Sequence, residues 1–389
     1  MLQLLNADLI TPYQIKKANL LIQNKKIISI GNNIHQDAET LDLTGKYIAP
    51  GFIDIHLHGG GGADLMDGDV DSILKIAESH IKYGTTSFYP TTLTAKDEEL
   101  FKLFDNLKIA ISKNNKGARI MGVHLEGPYL SANQKGAQDE RFLKEPIAEH
   151  YKKIINSSDY IARVTAAPEI PGALELASFL QQKGIIASIG HTDAEYQDML
   201  KALEHGYSLL THFYSGMSSL KRVNGSRVLG AVESGYLFDE FNVEIIADGY
   251  HLPPELLKLI YKIKGADSIV LVTDAMRGAG MPEGKSILGS LENGIEVIIE
   301  DGVAKMPDRQ AFAGSVATMD RLVRNMIKLA DVPLTEAVKM ATLTPAKIMG
   351  IADQKGTISQ GKDADLVILN KELEVEIVIV EGDIRYQKG

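Results

Sequence analysis

The sequence predicts an α/β protein built on a (β/α)8 TIM-like barrel, with a small β-sandwich domain formed by both termini. Three observations favour this fold. The centre of the chain repeatedly places an apolar segment before a helical stretch, each end carries only short strand-like runs, and 389 residues suit one large domain with a small one. We expect the sandwich to comprise residues 1–50 and 351–389 and the barrel to comprise residues 51–350.

The composition is that of a folded globular protein. Hydrophobic residues make up 44% of the chain and charged residues 24%, whereas disordered chains combine low hydrophobicity with high net charge. With 41 basic and 51 acidic side chains the formal net charge is −10. This argues against nucleic acid as a partner, because phosphate backbones require a basic stripe.

The sequence contains no cysteine, which excludes a disulfide framework, a thiolate metal site and a cysteine nucleophile. The segment Met1 to Ile10 lacks the pattern of a signal peptide. No stretch approaches the roughly 18 apolar residues of a membrane span. We therefore expect a cytoplasmic protein with no membrane partner.

The two ends of the chain carry the elements of the small domain. Short β-prone runs alternate with turn signals, and neither end is long enough to bury a core alone. We therefore predict one β-sandwich built jointly from the runs Lys17 to Ile22, Lys26 to Ile30, Lys46 to Ile48, Ala364 to Leu369 and Val375 to Val380.

Between the ends we count eight apolar segments that finish in polar residues. Helical stretches such as Ser72 to Tyr83 and Pro253 to Lys264 supply the crossovers that parallel strands require. An open doubly wound sheet is the competing fold, but Gly59 to Gly62 lacks the G-x-G-x-x-G spacing typical of it. The eight predicted strands are Gly51 to His58, Thr85 to Thr92, Ala118 to Pro128, Ile161 to Glu169, Gly184 to Asp193, Ser208 to Ser215, Phe241 to His251 and Asp267 to Met276.

Two further elements follow the eighth predicted strand. Lys285 to Lys305 is predicted to form a hairpin insertion around Asn293-Gly294. Helices from about Ser315 to Leu329 and from Leu334 to Met340 are predicted to close the barrel.

Histidines and a glutamate gather at the ends of the predicted strands, where barrel proteins place their active sites. His56 and His58 are separated by one residue, so both side chains leave the strand on the same face. Glu126, His191 and His212 end the third, fifth and sixth strands. Each residue alone has a structural interpretation, as a turn residue, a helix cap or a core histidine. Together, imidazoles and a carboxylate at four strand ends favour a metal site.

Asp274 ends the eighth strand after the run Ile269 to Thr273. A carboxylate at the barrel mouth can accept a proton from an attacking water and return it to the leaving group; the alternative is a helix cap. Asp248 is interpreted as a turn former, and His251 as a residue that could hold a substrate.

The motifs resemble, in content and order, those of the N-acetylglucosamine-6-phosphate deacetylases of the amidohydrolase superfamily, and the resemblance covers nearly the whole chain. Dihydroorotases and hydantoinases, which are other amidohydrolases, have a carbamylated lysine on the fourth strand. The predicted fourth strand here has no lysine, so the sequence does not resemble those two families. The motifs are His56-Leu57-His58, His124-Leu125-Glu126-Gly127-Pro128, Gly190-His191-Thr192, Thr211-His212, Asp248-Gly249-Tyr250-His251, Thr273-Asp274-Ala275-Met276 and Ala313-Gly314-Ser315.

The resemblance implies hydrolysis of the N-acetyl group of an amino sugar 6-phosphate to the free amine and acetate. It implies that Glu126, His191 and His212 hold a divalent metal and that Asp274 is the acid/base. His56 and His58 imply a second ion that shares Glu126. We expect one or two ions per subunit, with Zn2+ first and Fe2+, Co2+ or Mn2+ as alternatives.

Substrate anchoring is where the sequence departs from the family pattern. Many relatives have histidine after Lys-Gly-Ala, whereas Gln138 follows Ala137 here and cannot become cationic. Backbone N–H groups after the sixth strand and a nearby basic cluster are expected to bind phosphate. The predicted substrate-binding residues are His251, Ser215, Gly216, Gln138, Ala137, Arg222 and Arg227. The family further implies a homodimer, with an arginine that often reaches phosphate across the interface.

Three alternatives stay open at this point. The substrate could be N-acetylgalactosamine 6-phosphate or a related amino-sugar phosphate. The chain could be a noncatalytic barrel used as a scaffold, although such scaffolds usually lose metal ligands. The chain could also be a deaminase barrel, which would liberate ammonia rather than acetate.

Overall fold

The computed structural model describes residues 1–33 and 35–389. The described amino-terminal residues contain five strands. They are β1 (Leu2–Ile10), β2 (Ile15–Gln23), β3 (Lys26–Gly31), β4 (Glu39–Asp42) and β5 (Tyr47–Pro50).

The central part alternates strands with helices. Short 3-10 helices also lie at Leu65–Asp67, Ile81–Tyr83, Ala132–Gln134 and Glu140–Phe142. In chain order the elements are β6 (Phe52–Leu57), β7 (Gly59–Gly60), β8 (Ala63–Asp64), α1 (Val70–His80), β9 (Thr85–Pro90), α2 (Asp97–Lys113), β10 (Arg119–Ile120), β11 (Val123–Glu126), α3 (Ala148–Ile155), β12 (Ile161–Ala166), α4 (Ala173–Gln182), β13 (Ile186–Ile189), α5 (Tyr196–Glu204), β14 (Tyr207–Leu210), β15 (Lys221–Val223), β16 (Ser226–Val228), α6 (Ala231–Leu237), β17 (Asn242–Ile245), α7 (Pro254–Lys264) and β18 (Ile269–Leu271).

The remaining elements follow the eighth predicted strand. The predicted hairpin is present and has a third strand. Within the described residues, no helix is both long enough and apolar enough to span a membrane. The elements are β19 (Gly284–Leu288), β20 (Ile295–Glu300), β21 (Val303–Lys305), α8 (Met319–Ala330), α9 (Leu334–Met340), α10 (Leu343–Ile348), β22 (Leu366–Leu369), β23 (Val375–Val380) and β24 (Asp383–Gln387).

Nine parallel strands form the centre of the described part of the molecule, and each of the eight predicted segments overlaps at least one of them. The third segment, Ala118 to Pro128, contains both β10 and β11. One sheet has the order β10-β9-β6 and another the order β11-β12-β13-β14-β17-β18. Parallel bridges between Thr91 and His124 and between Leu57 and Ala275 connect strand ends of the two sheets. The carboxyl ends of the strands therefore meet on one side of the molecule.

Burial follows the sequence pattern of these elements. Every residue of β6 and β9 is buried, as expected for parallel strands covered on both faces. Helix α1 is capped at its amino end by Asp69, whose side chain accepts a hydrogen bond from the Ser72 backbone N–H. Helix α8 buries Met319, Leu322, Val323 and Met326, the spacing of one helix face. Helix α8 thus packs against the core through one apolar face.

Both termini contribute to one sheet, as predicted. Within the described residues it has eight strands, in the order β24-β23-β22-β5-β1-β2-β3, with β4 beside β1. Strand β22 runs antiparallel to β5, and Leu366 pairs with Pro50. A separate apolar cluster, which includes Leu4, Leu20 and Ile368, lies against this sheet. This sheet therefore depends on segments from both ends of the sequence.

Gly84 lies where the parallel and terminal sheets approach each other. It has a φ of +86°, and an added Cβ would lie 2.7 Å from Phe52 Cδ2 and 3.2 Å from Val367 Cγ1. We expect Gly84→Ala to lower the free energy of unfolding by about 1–2 kcal/mol through backbone strain. Overpacking should lower it by about 1–3 kcal/mol more. Denaturant unfolding of purified protein measures the sum.

Gly184→Ala is the matched control for this substitution. Gly184 also has a positive φ, +71°, but no described atom lies within 4 Å of its added Cβ. We therefore expect Gly184→Ala to lower the free energy of unfolding through backbone strain alone. Equal losses of stability in the two variants would contradict the packing argument.

Candidate metal centre and active site

The five predicted metal ligands lie together at the ends of four parallel strands. His56 belongs to β6 and His58 follows it, Glu126 ends β11, and His191 and His212 follow β13 and β14. All five side chains are buried. They form two groups that share Glu126, one with His56 and His58 and the other with His191 and His212, and the potential ligand atoms of each group lie within 4.8 Å of one another.

Glu126 lies at the centre of these groups. Its Oε1 is 3.0 Å from His212 Nε2 and 3.3 Å from His191 Nε2. Its Oε2 is 3.4 Å from His58 Nε2. The Nε2 of His56 is 3.6 Å from Oε1. One carboxylate thus faces four imidazole nitrogens.

The hydrogen bonds of the four imidazoles suit metal binding. Each ring uses Nδ1 to contact an oxygen that can only accept, so the proton of the neutral ring lies on Nδ1 and the Nε2 lone pair is free. His56 Nε2 is buried and has no hydrogen-bond partner among the described residues. The acceptors are Glu244 Oε2 for His56 (3.2 Å), Thr91 O for His58 (3.1 Å), Gln134 O for His191 (2.8 Å) and Ser215 O for His212 (3.1 Å).

The electrostatics of the site favour a cation. Burial alone would raise the pKa of Glu126, but the charge of His56 and hydrogen bonds from His191 and His212 hold that pKa well below its usual value. Burial would lower the pKa of His56, but Glu126, Glu244 and Asp274 raise it to about 10. The carboxylates thus attract positive charge to this cluster, either as protons or as a metal ion.

Backbone conformation also sets these residues apart. His191, His212 and Asp274 have φ values of 49°, 31° and 47°. The left-handed region is unfavourable for residues with a Cβ, and such residues concentrate at functional sites. All three side chains lie in or beside the cluster.

Asp274 lies beside the two histidines of the first group. Its Oδ1 is 3.1 Å from His58 Nε2 and 3.6 Å from His56 Nε2. Burial would raise the pKa of Asp274, but the hydrogen bond with His58 and the charges of His56, His58 and His212 lower it to about 2. The carboxylate is therefore ionised at neutral pH and can accept a proton.

A cavity of about 240 Å³ opens over the cluster. A larger cavity of about 340 Å³ shares Leu93, Ala137 and Leu288 with it, but among the described residues no member of the metal cluster lines the larger one. The chemistry therefore belongs to the smaller cavity. Its lining includes His58, Glu126, Gly136, Ala137, Gln138, His191, His212, Ser215, Gly216, His251, Asp274, Phe312 and Gly314.

Most predicted substrate-binding residues line this cavity. His251, Ser215, Gly216, Gln138 and Ala137 are all part of its wall. Gly216 has a φ of +57°, and an added Cβ would lie 3.0 Å from His191 Nδ1, so the close approach of this loop requires glycine.

The two predicted arginines lie elsewhere. Among the described residues that line the cavity, neither Arg222 nor Arg227 occurs. They pair with each other across the exposed hairpin β15–β16. Their role in phosphate binding stays a prediction.

Two cavity residues are held by specific partners. His251 Nδ1 is 2.8 Å from Asp248 Oδ2, and Asp248 Oδ1 accepts hydrogen bonds from the backbone N–H groups of Tyr250 and His251. Asp248 therefore does more than form a turn, because it also orients the imidazole. Gln138 donates to Glu126 Oε2 at 2.9 Å, and its carbonyl oxygen accepts from the Thr94 backbone N–H at 2.8 Å.

Sequence reasoning missed two charged residues beneath the cluster. Arg163 of β12 and Glu244 of β17 are fully buried and form an ion pair. Glu244 also contacts His56. The available signal was one charged side chain among the apolar residues of each strand, a pattern that does not reveal the partner. His124, in contrast, directs both ring nitrogens to the hydroxyls of Thr91 and Thr165 and is a core histidine.

Comparisons with known proteins agree with this arrangement. Residues 47–385 match the model of the amidohydrolase family. The chain is 36% identical over 380 residues to N-acetylglucosamine-6-phosphate deacetylase of Bacillus subtilis, covering 96% of this chain and 93% of that protein. It is 34% identical over 340 residues to N-acetylgalactosamine-6-phosphate deacetylase of Escherichia coli, covering 87% of this chain and 88% of that protein. The crystal structure of N-acetylglucosamine-6-phosphate deacetylase from Pasteurella multocida superimposes with a TM-score of 0.92 at 29% identity, and 99% of each chain is covered.

Proposed function

Since this chain belongs to the amidohydrolase family, we propose that it hydrolyses N-acetylglucosamine 6-phosphate to glucosamine 6-phosphate and acetate, in amino-sugar catabolism. The observation that carries the proposal is the convergence of Glu126, His191 and His212 beside Asp274 in one cavity. Relatives named for this reaction match more than nine tenths of the chain. The same evidence argues against a noncatalytic scaffold, because every proposed ligand is retained.

The residues fit a divalent metal. Glu126, His191 and His212 would hold one ion, and His56 and His58 would hold a second with Glu126. Imidazole and carboxylate ligands suit Zn2+ first, with Fe2+, Co2+ and Mn2+ as alternatives. Such an ion supplies Lewis acidity, which polarises an amide carbonyl and makes water more acidic.

The protein groups around this centre account for proton transfer. Asp274, ionised and buried, accepts a proton from the attacking water. The same carboxyl then donates that proton to the departing nitrogen, since an amine leaves poorly as an anion. His251, whose Nδ1 donates to Asp248, presents the Nε2 lone pair to the cavity and accepts a hydrogen bond from a substrate hydroxyl, while the amide of Gln138 donates to the acetyl oxygen and polarises the carbonyl.

The loop that follows β14 suits the phosphate. Ser215 and Gly216 lie on the loop after β14, and the loop approaches His191 closely because Gly216 has no side chain. Backbone N–H groups bind phosphate without depending on side-chain identity. Gln138 and Ala137, which line the same cavity, contact the sugar.

We infer that the parallel strands of the eight predicted segments close into a (β/α)8 barrel of residues 51–350. Support comes from Asp274 N, which donates to His56 O at 2.9 Å, and from His58 N, which donates to Ala275 O at 2.8 Å. These bonds connect the first and last strands of the series. We infer also that the terminal sheet, from residues 1–50 and 351–389, folds over its own apolar cluster as a sandwich.

The exposed hairpin supports a proposal about assembly and substrate binding. We propose that the chain forms a homodimer in which Arg222 or Arg227 binds the phosphate in the partner subunit. Both arginines are exposed and lie outside their own cavity, and the hairpin also exposes Leu220 and Val223. We place the enzyme in the cytoplasm, because its proposed substrate is a charged sugar phosphate that does not cross a bilayer unaided.

Acetate release from a panel of N-acetyl sugars tests the proposed reaction. We expect Zn2+-loaded protein to produce acetate and free amine in equal amounts from N-acetylglucosamine 6-phosphate, and to act less well on the unphosphorylated sugar. Faster release from N-acetylgalactosamine 6-phosphate would change the assigned epimer. Ammonia in place of acetate would indicate a deaminase, and a metal-loaded protein inert on the whole panel would indicate a scaffold.

A further inference from the structure

A fully buried ion pair lies beneath the metal groups. Arg163 and Glu244 both have 0% exposure, and Arg163 Nη1 donates to Glu244 Oε1. The remaining guanidinium hydrogen bonds go to Ser188 Oγ (2.8 Å), Thr211 Oγ1 (2.7 Å) and Ile55 O (3.2 Å). The guanidinium therefore contacts several strands of the parallel sheets and has a single position.

Stability alone does not account for this pair. Transfer of two charges from water to the interior is unfavourable, and apolar residues of similar volume are often as stabilising or more so. A buried pair with all its hydrogen bonds made fixes the position of its atoms instead. The contacts of the second Glu244 oxygen, Oε2, show which residues the pair positions.

Glu244 Oε2 contacts one residue from each metal group. It accepts a hydrogen bond from His56 Nδ1 and from the His212 backbone N–H, each at 3.2 Å. The imidazoles of His58, His191 and His212 use backbone carbonyls as acceptors. Among the described ligand histidines, His56 is thus the one whose tautomer depends on a side chain.

We propose that the Arg163–Glu244 pair is a positioning unit that fixes the tautomer and orientation of His56 and thereby sets the metal affinity of the His56–His58–Glu126 group. This inference rests on the metal-dependent function proposed above. Arg163 holds the Glu244 carboxylate in one orientation, and that carboxylate keeps the His56 proton on Nδ1. The buried Nε2 then faces Glu126 and Asp274, each 3.6 Å away.

Metal titration of full-length protein, freed of metal by chelation, tests the inference. We expect the wild type to bind two Zn2+ or Co2+ ions per subunit. In Glu244→Gln the amide can donate as well as accept, so the proton of His56 is no longer fixed to Nδ1. The affinity for one ion should then fall by about 10- to 100-fold, the usual effect of losing such a partner, while the other ion stays bound. The visible spectrum of the second Co2+ equivalent should weaken in parallel.

Two reference variants separate positioning from general loss of stability. Asp365→Asn removes a charge from another buried pair, formed with Lys355 in the terminal domain, and should retain both ions. His56→Gln removes the ligand itself. The number of ions bound per subunit by Glu244→Gln should approach the number bound by His56→Gln. The double variant Arg163→Met/Glu244→Gln leaves no unpaired buried charge and should show the same selective loss.

Unchanged stoichiometry and affinity in folded Glu244→Gln and in the double variant would overturn the inference. Equal weakening of both ions would overturn it too, because that indicates a general structural effect. The proposed function fails separately. A wild type that binds two ions but releases no acetate would reject the reaction while leaving the metal result to be judged on its own.

Discussion

Asp274→Asn is expected to reduce kcat for acetate release by about 100- to 10,000-fold, the contribution typical of a general acid/base. Asparagine has nearly the same shape but cannot accept a proton from water. Asp274 lies 3.1 Å from His58 Nε2 and outside both groups of potential metal ligands, so metal content should not change. KM should change little, because the residues expected to contact the sugar are untouched. Steady-state assays with parallel elemental analysis measure both quantities.

The same substitution at Asp301, an exposed residue of the turn between β20 and β21, is the control and should retain full activity. Loss of bound metal together with activity in Asp274→Asn would contradict the acid/base assignment. It would instead identify Asp274 as a metal ligand.

Glu126→Gln is expected to lower the affinity for both metal ions, because Glu126 belongs to both groups. Activity should fall by at least about 1,000-fold, since a catalytic metal contributes several kcal/mol and each 1.4 kcal/mol corresponds to a factor of ten. The metal also stabilises the folded state to which it binds. Added Zn2+ should therefore raise the Tm of metal-free wild type but have little effect on the Tm of the variant.

Chelation provides the complementary measurement. Wild type treated with a chelator should lose activity and recover it when Zn2+ is restored, whereas Glu126→Gln should not recover. Glu149→Gln, on α3, is a suitable control because Glu149 is exposed and outside both metal groups. A Glu126→Gln protein that retains two ions and near-normal activity would refute the shared-carboxylate arrangement.

Much of the fold could be predicted because local and long-range preferences agree. The segment Gly184 to Asp193, for example, combines an apolar run with a following helix, and it contains a parallel strand. The sequence was less informative about sheet boundaries. The hairpin has a third strand, β21, that was not predicted, and the terminal strands join by hydrogen bonds into one sheet. The sequence could not show these pairings, because strands that are distant in sequence leave no local pattern of their pairing.

The metal cluster could be predicted for a different reason. In a parallel barrel the strand ends meet, so residues such as His56, Glu126 and His212 are brought together by topology alone. The Arg163–Glu244 pair could not be found this way. A charged residue within a strand has the same sequence pattern whether it faces solvent or a buried partner 81 residues away. Only the packed structure distinguishes these cases.

The pairing of β5 with β22 has a consequence for biosynthesis. A ribosome releases β1 to β5 well before β22, yet the edge at Tyr47–Pro50 pairs with Leu366–Leu369. Throughout elongation this edge remains available to other nascent chains, and uncovered strand edges promote aggregation. Production of this protein should therefore benefit from chaperones that shield the nascent amino terminus, and messages truncated before Leu366 should yield insoluble product.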